Sequence, residues 1–180
     1  MANTEFDDFI KQQKAQAATP ATFDPRLRLN EWLLHVEELY ALVEKYLHTY
    51  IKGGDIKQNF EKLELNEDLL GAYDIKRMVL VIGLQQVVLQ PVGAIIIGAR
   101  GRVDIRGPKG SAKLVLVEKQ STKIRMSVGA LTGTERPPLG PVATQPAELS
   151  WKFSAAPRSR ELIELTSESL MTAIMEVTGA

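Results

Sequence analysis

From residue 73 onward, short apolar segments with a period of two follow one another with almost no chain between them, and this most restricts the possible folds. The segments are residues 73–82, 86–90, 94–105, 111–118 and 123–128. They are joined by Gly83-Leu-Gln, Pro91-Val-Gly, Gly107-Pro-Lys-Gly and Lys119-Gln-Ser-Thr. A parallel return needs a crossover of a dozen or more residues, so neighbouring strands must run antiparallel as a meander. Residues 60–65 read as a further strand before them. Asn66-Glu-Asp-Leu-Leu-Gly71 reads as a capped helical turn stopped by glycine. Gly98 and Gly101 mark a bulge or sharp bend inside the long 94–105 segment.

A helical pattern precedes the strands. Asp24-Pro25 supplies an N-cap and a first-turn proline, with Asn30-Glu31 as a second possible start. Trp32, Val36, Leu39, Tyr40, Val43, Leu47 and Tyr50 then recur at helical spacing. Glu37, Glu38, Glu44 and Lys45 take the other side, and Gly53-Gly54 ends the helix just past Lys52. After the meander, residues 149–153 and 161–165 return as strands. Ser167 caps a closing helix with Leu170, Ile174 and Val177 on one stripe. Apolar helical stripes need a cover, and a sheet face provides one. The expected fold is α+β: an antiparallel meander of about six to eight strands, covered by a long N-terminal and a short C-terminal helix. A barrel-like sheet with flanking helices is the alternative.

Two segments fall outside this pattern. Residues 1–23 read as an arm, in which Thr4 caps a short helix with Asp7 as its capping partner and Phe6, Phe9 and Ile10 share one face. Its functional reading is a peptide that docks in a partner's groove. Residues 131–147 carry Pro137, Pro138, Pro141 and Pro146 with Gly133 and Gly140, an exposed loop within the single domain of residues 24–180. The motif Glu64-Leu-Asn-Glu-Asp-Leu-Leu recurs loosely as Glu164-Leu-Thr-Ser-Glu-Ser-Leu, as expected of two strand-to-helix corners.

The residue types exclude much chemistry. The 180 residues include no cysteine, which removes disulfides, thiolate metal sites and a cysteine nucleophile, and suits a reducing cytoplasm. The start is acidic and lacks the features of a secretory signal, and no apolar run approaches the ~20 residues of a membrane span. A soluble, cytoplasmic protein without cofactor or metal is expected. His35 and His48 lie thirteen positions apart on one helix, about 20 Å, too far to share a metal. Gly107-Pro-Lys-Gly has strands on both sides and its lysine before the second glycine, so it is a hairpin turn rather than a phosphate loop. Adjacent carboxylates such as Glu37/Glu38 and Glu67/Asp68 point apart and form no acid–base pair. No catalytic constellation is present, which argues against an enzyme.

Charge gives the best functional lead. Formal net charge is zero, yet residues 31–74 hold ten acidic and four basic residues, and residues 100–125 hold eight basic and two acidic. The two poles either face different partners or attract one another across the fold. With Gly107–Gly110 as a four-residue loop, Arg106 lies opposite Ser111 and Asp104 opposite Lys113. Arg100, Arg102, Arg106, Lys109 and Lys113 then make a basic strand face around Asp104, suited to anions or to an acidic partner. A pI near 6.8 and the absence of interleaved aromatic residues weigh against nucleic acid. The favoured function is a non-catalytic protein-binding or accessory module, docking through this face or through Phe6, Phe9 and Ile10. Nucleic-acid or anion binding by the basic face is the first alternative. A small-molecule binder or enzyme with a pocket between helix and sheet is the second.

Overall fold

Asp24 begins the first element as its sequence demands. Its carboxylate accepts from the backbone N–H groups of Arg26 and Leu27, Pro25 occupies the first turn, and Gly54 closes the end in the left-handed region at φ 84°. This helix, α1, spans Pro25–Gly53. The structure is a computed structural model and describes residues 24–96, 98–124, 148–155 and 160–180. The arm with Phe6, Phe9 and Ile10, and the proline-rich loop at 131–147, lie outside the described residues.

Seven strands follow: β1 (Ile56–Glu67), β2 (Gly71–Ile82), β3 (Gln85–Gly93), β4 (Gly101–Gly107), β5 (Gly110–Glu118), β6 (Leu149–Ser154) and β7 (Leu162–Glu164). They pair antiparallel in chain order as one open sheet, so the meander holds and the barrel alternative falls. A closing helix, α2, spans Ser167–Thr178. Both helices bury their stripes in one core with the sheet. Trp32, Leu39, Val43 and Leu47 from α1 and Leu170 and Ile174 from α2 join Leu80, Leu89, Ile105, Leu114 and Phe153.

Four local readings change. Residues 66–71 are the end of the β1–β2 hairpin rather than a helical turn, with 68–70 as its turn: Leu70 N–H donates to the Glu67 carbonyl, and Gly71 at φ 74° opens β2. The likeness between residues 64–70 and 164–170 is therefore not a repeated corner, because only the second copy enters a helix. The 94–105 segment is broken, with β4 starting only at Gly101 after a turn around Gly98 at φ 78°. The cap of α2 is Thr166, which forms a reciprocal capping box with Ser169. Within 123–128, Lys123 makes a single bridge to Glu161, and residues 125–128 lie outside the described residues.

Two close fits lock α1 to the sheet. A Cβ at residue 101 would collide with the Trp32 indole ring, so glycine is required where helix and strand touch. The β2–β3 ladder runs from Ile82↔Gln85 to Met78↔Leu89, and the Tyr40 hydroxyl donates to the Lys76 carbonyl at 2.7 Å beside the ladder's last pair. At the start of α1, the Arg28 guanidinium donates to the carbonyls of Ala94 and Arg100. The Glu67 carboxylate accepts from the N–H groups of Ala94 and Ile95 and from the Tyr73 hydroxyl. Together they pin the irregular 94–100 segment from both sides.

Gly101→Ala is expected to lose about 1–3 kcal/mol of stability through overpacking, seen as a lower urea midpoint with an unchanged slope. Burial also holds the Tyr40 phenol well above its usual range. An unfolded tyrosine ionises near pH 10 while the folded one stays protonated, so its stabilisation is complete below pH ~10 and declines above it. The wild type should therefore lose about 1.4 kcal/mol per pH unit more than Tyr40→Phe above pH 10. Equal slopes in pH-resolved denaturation would sink this assignment.

Candidate functional site

The basic face is built as its register requires, and Asp104 engages two of its five basic residues, Arg102 and Arg106. Asp104 faces Lys113 and Arg106 faces Ser111 across β4 and β5. Asp104 is 4% exposed. Its carboxylate accepts two hydrogen bonds from Arg102, at 2.7 and 2.9 Å, and one from Arg106 at 3.4 Å. A bidentate guanidinium–carboxylate pair is strong and directional, so Arg102 is held rather than offered. Lys109 lies in the β4–β5 turn, its N–H donating to the Val177 carbonyl at the end of α2. Arg100 lies at the opposite end of β4, where its charge adds to burial in lowering the pKa of Arg28. The five predicted residues thus divide among three places instead of forming one patch. Among the described residues, no ion pair joins the acidic 31–74 segment to the basic 100–125 segment.

One lysine escaped the sequence reading altogether. In Leu-Ser-Trp-Lys-Phe-Ser, alternation places Lys152 on the sheet face away from Trp151 and Phe153, where it reads as exposed. It is 3% exposed instead. After β5 the chain passes over it and continues to the edge of β7. There Leu162 N–H donates to the Thr122 carbonyl, and Ile124 N–H to the Arg160 carbonyl. The Lys152 ammonium donates to the carbonyls of Lys119 at 2.7 Å and Ser121 at 2.9 Å, and pairs with Glu164. Three acceptors match the three N–H donors of an ammonium, so this buried charge is fully satisfied and staples the 119–124 crossing to the sheet.

The remaining feature is a cleft of about 1310 Å³ between α2 and the β5–β6–β7 end of the sheet. Phe153, Ile163, Ala112 and Ala173 give it apolar surface. Ile163 stays 52% exposed, a large apolar side chain left uncovered. Charges of both signs surround it: Glu168 and Glu176 from α2, and Arg160 just before β7. Glu168, Thr172 and Glu176 follow i, i+4, i+8 spacing and share one helix face along the cleft. None of these three charged residues has an ion-pair partner among the described residues.

Elsewhere the chemistry is sparse. His35 accepts or donates within 2.8 Å of Glu38 one turn on, and the backbone carbonyl of His35 receives the Trp151 indole N–H, so this histidine belongs to the α1 packing. Among the described residues, no cluster of three His, Asp or Glu side chains is placed to hold a metal, and no helix is long and apolar enough to cross a membrane. No protein-family model, curated protein or solved structure shows significant similarity to the chain.

Lys152→Met keeps the length of the side chain but strands two carbonyls and Glu164. A loss of about 3 kcal/mol is expected in chemical denaturation, with faster amide exchange in residues 119–124. Unchanged exchange there would show that the crossing does not depend on this ammonium.

Proposed function

We propose that the protein is a non-catalytic protein-binding module whose α2–β7 cleft takes a short segment of a partner protein. The observation that carries this reading is the cleft itself: an open trough with apolar surface, an uncovered Ile163, and charges of both signs around it. Small-molecule sites typically enclose roughly 300–1,000 Å³ and bury most of their ligand. A larger, open trough suits a peptide, which contributes its own side chains to complete the apolar layer. The partner segment should carry one or two large apolar residues, with Lys or Arg toward Glu168 and Glu176 and Asp or Glu toward Arg160.

The anion-binding alternative loses support from Asp104, which occupies the bidentate face of Arg102 that a phosphate would need. For enzymatic turnover, no cluster of three His, Asp or Glu side chains placed to hold a metal occurs among the described residues. The protein-binding reading thus moves from the basic strand face, where the charge distribution first placed it, to the other face of the sheet.

A peptide-display selection against the purified protein tests the reading. Enriched sequences should combine an aromatic or aliphatic anchor with flanking charges, and Ile163→Asp, half-exposed and so tolerated by the fold, should weaken their binding at least tenfold. Peptides that bind Ile163→Asp as well as wild type would move the site away from the cleft. Binding of RNA that falls steeply with salt and disappears in Arg102→Glu would return the weight to the basic face.

A further inference from the structure

Resting on the reading of the cleft as a peptide site, we infer that its resident occupant is the chain's own segment 6–14. This segment has the chemistry just required of a partner. Phe6, Phe9 and Ile10 recur at i, i+3, i+4 spacing, Asp7 and Asp8 stand among them, and Lys11 and Lys14 follow. It is apolar on one side, acidic in its first half and basic in its second. The cleft offers apolar Phe153 and Ile163 between the acidic Glu168 and Glu176 and the basic Arg160. The two charge patterns are complementary.

The tether is long enough. The start of α1 is fixed at the Gly101 end of β4, because Arg28 donates to the carbonyls of Ala94 and Arg100. The cleft begins at Ser111, paired with Arg106 at the other end of β4. Six residues along the strand cover about 20 Å, and three strand spacings from β4 to β7 add about 14 Å sideways, a separation of roughly 25 Å. Residues 15–23, nine in number, reach up to ~30 Å when extended. Segment 6–14 therefore lies within reach of the cleft at high effective concentration, and an outside partner must displace it. The arm acts as a built-in competitor that sets how tightly a partner binds.

The absence of cysteine permits a direct test in the full chain. Nitroxide labels go on Gln12→Cys in the segment and on Met175→Cys, an exposed position on α2. Pulsed dipolar spectroscopy is expected to give a single narrow distance distribution. Phe6→Asp/Phe9→Asp should broaden it and tighten binding of a display-selected peptide about tenfold, as expected when a competitor occupying roughly nine-tenths of the sites is released. Lys11→Glu/Lys14→Glu should broaden it too, and adding Glu168→Lys/Glu176→Lys should restore the narrow distance.

A broad distribution in the parent protein, or a narrow one unmoved by these changes, overturns the inference. A narrow distance that appears only as concentration rises also overturns it, by assigning the cleft to a second copy's segment. Broad distances alongside peptide binding at the cleft leave the partner reading standing without the arm. A narrow distance with no peptide able to bind sinks the partner reading and keeps the arm.

Discussion

Burial of the α1 stripe against the sheet is the constraint on which the rest of the structure depends. Among the described residues no helix lies between the strands, and the two helices that cover the inner face precede and follow the sheet in the chain. With 29 residues, α1 is about 43 Å long, enough to cross the whole sheet, whereas the 12-residue α2 spans only about 18 Å. The consequences are local and specific. Gly101 gives way to Trp32, Trp151 donates its indole N–H to the His35 carbonyl, and Tyr40 puts its hydroxyl on the Lys76 carbonyl. Because α2 is short and lies mainly over β3, β4 and β5, the inner face at β6 and β7 is incompletely covered by the described residues. The cleft follows from the unequal helix lengths, and it forms where Phe153 and Ile163 continue the core beyond the reach of α2.

Elements defined by neighbours in sequence were legible. Asp24, Pro25 and Gly54 mark α1 because capping is a contact among adjacent residues. The Gly107–Gly110 turn sets the β4–β5 register because a short turn leaves no freedom in pairing. Residues 66–71 are ambiguous in sequence, since acidic residues followed by a glycine serve equally well to cap a helical turn and to turn a hairpin. The long pairing from Ile56↔Ile82 to Glu67↔Gly71 decides between them. Lys152 and the cleft were not legible at all. The lysine is buried by a crossing some thirty positions earlier in the chain, and the cleft depends on which strands a distant helix covers. Asp104 was visible mid-patch as a partial neutraliser, but its near-complete burial and its grip on Arg102 required the neighbouring strands to be in place.

The handling of the sheet edges supports the proposal that recognition belongs to a face. An unpaired edge strand invites addition of another strand, and proteins blunt it with charge or cover. β1 is a long edge of 12 residues, and it carries Lys57, Glu61, Lys62, Glu64 and Glu67 along its length. Its one large aromatic, Phe60, packs against Tyr40 at a ring separation of 5.6 Å. At the other edge β7 is only three residues long, and the 122–124 segment hydrogen-bonds along it. That cover depends on the Lys152 staple, which holds the preceding carbonyls of Lys119 and Ser121 to the sheet. Backbone pairing is thus discouraged at both ends, and what stays open is side-chain surface. A site made of side chains selects by shape and charge instead of by strand addition. Under the proposed reading it would therefore respond sharply to the identity of an incoming segment, whether from a partner or from the chain's own segment 6–14.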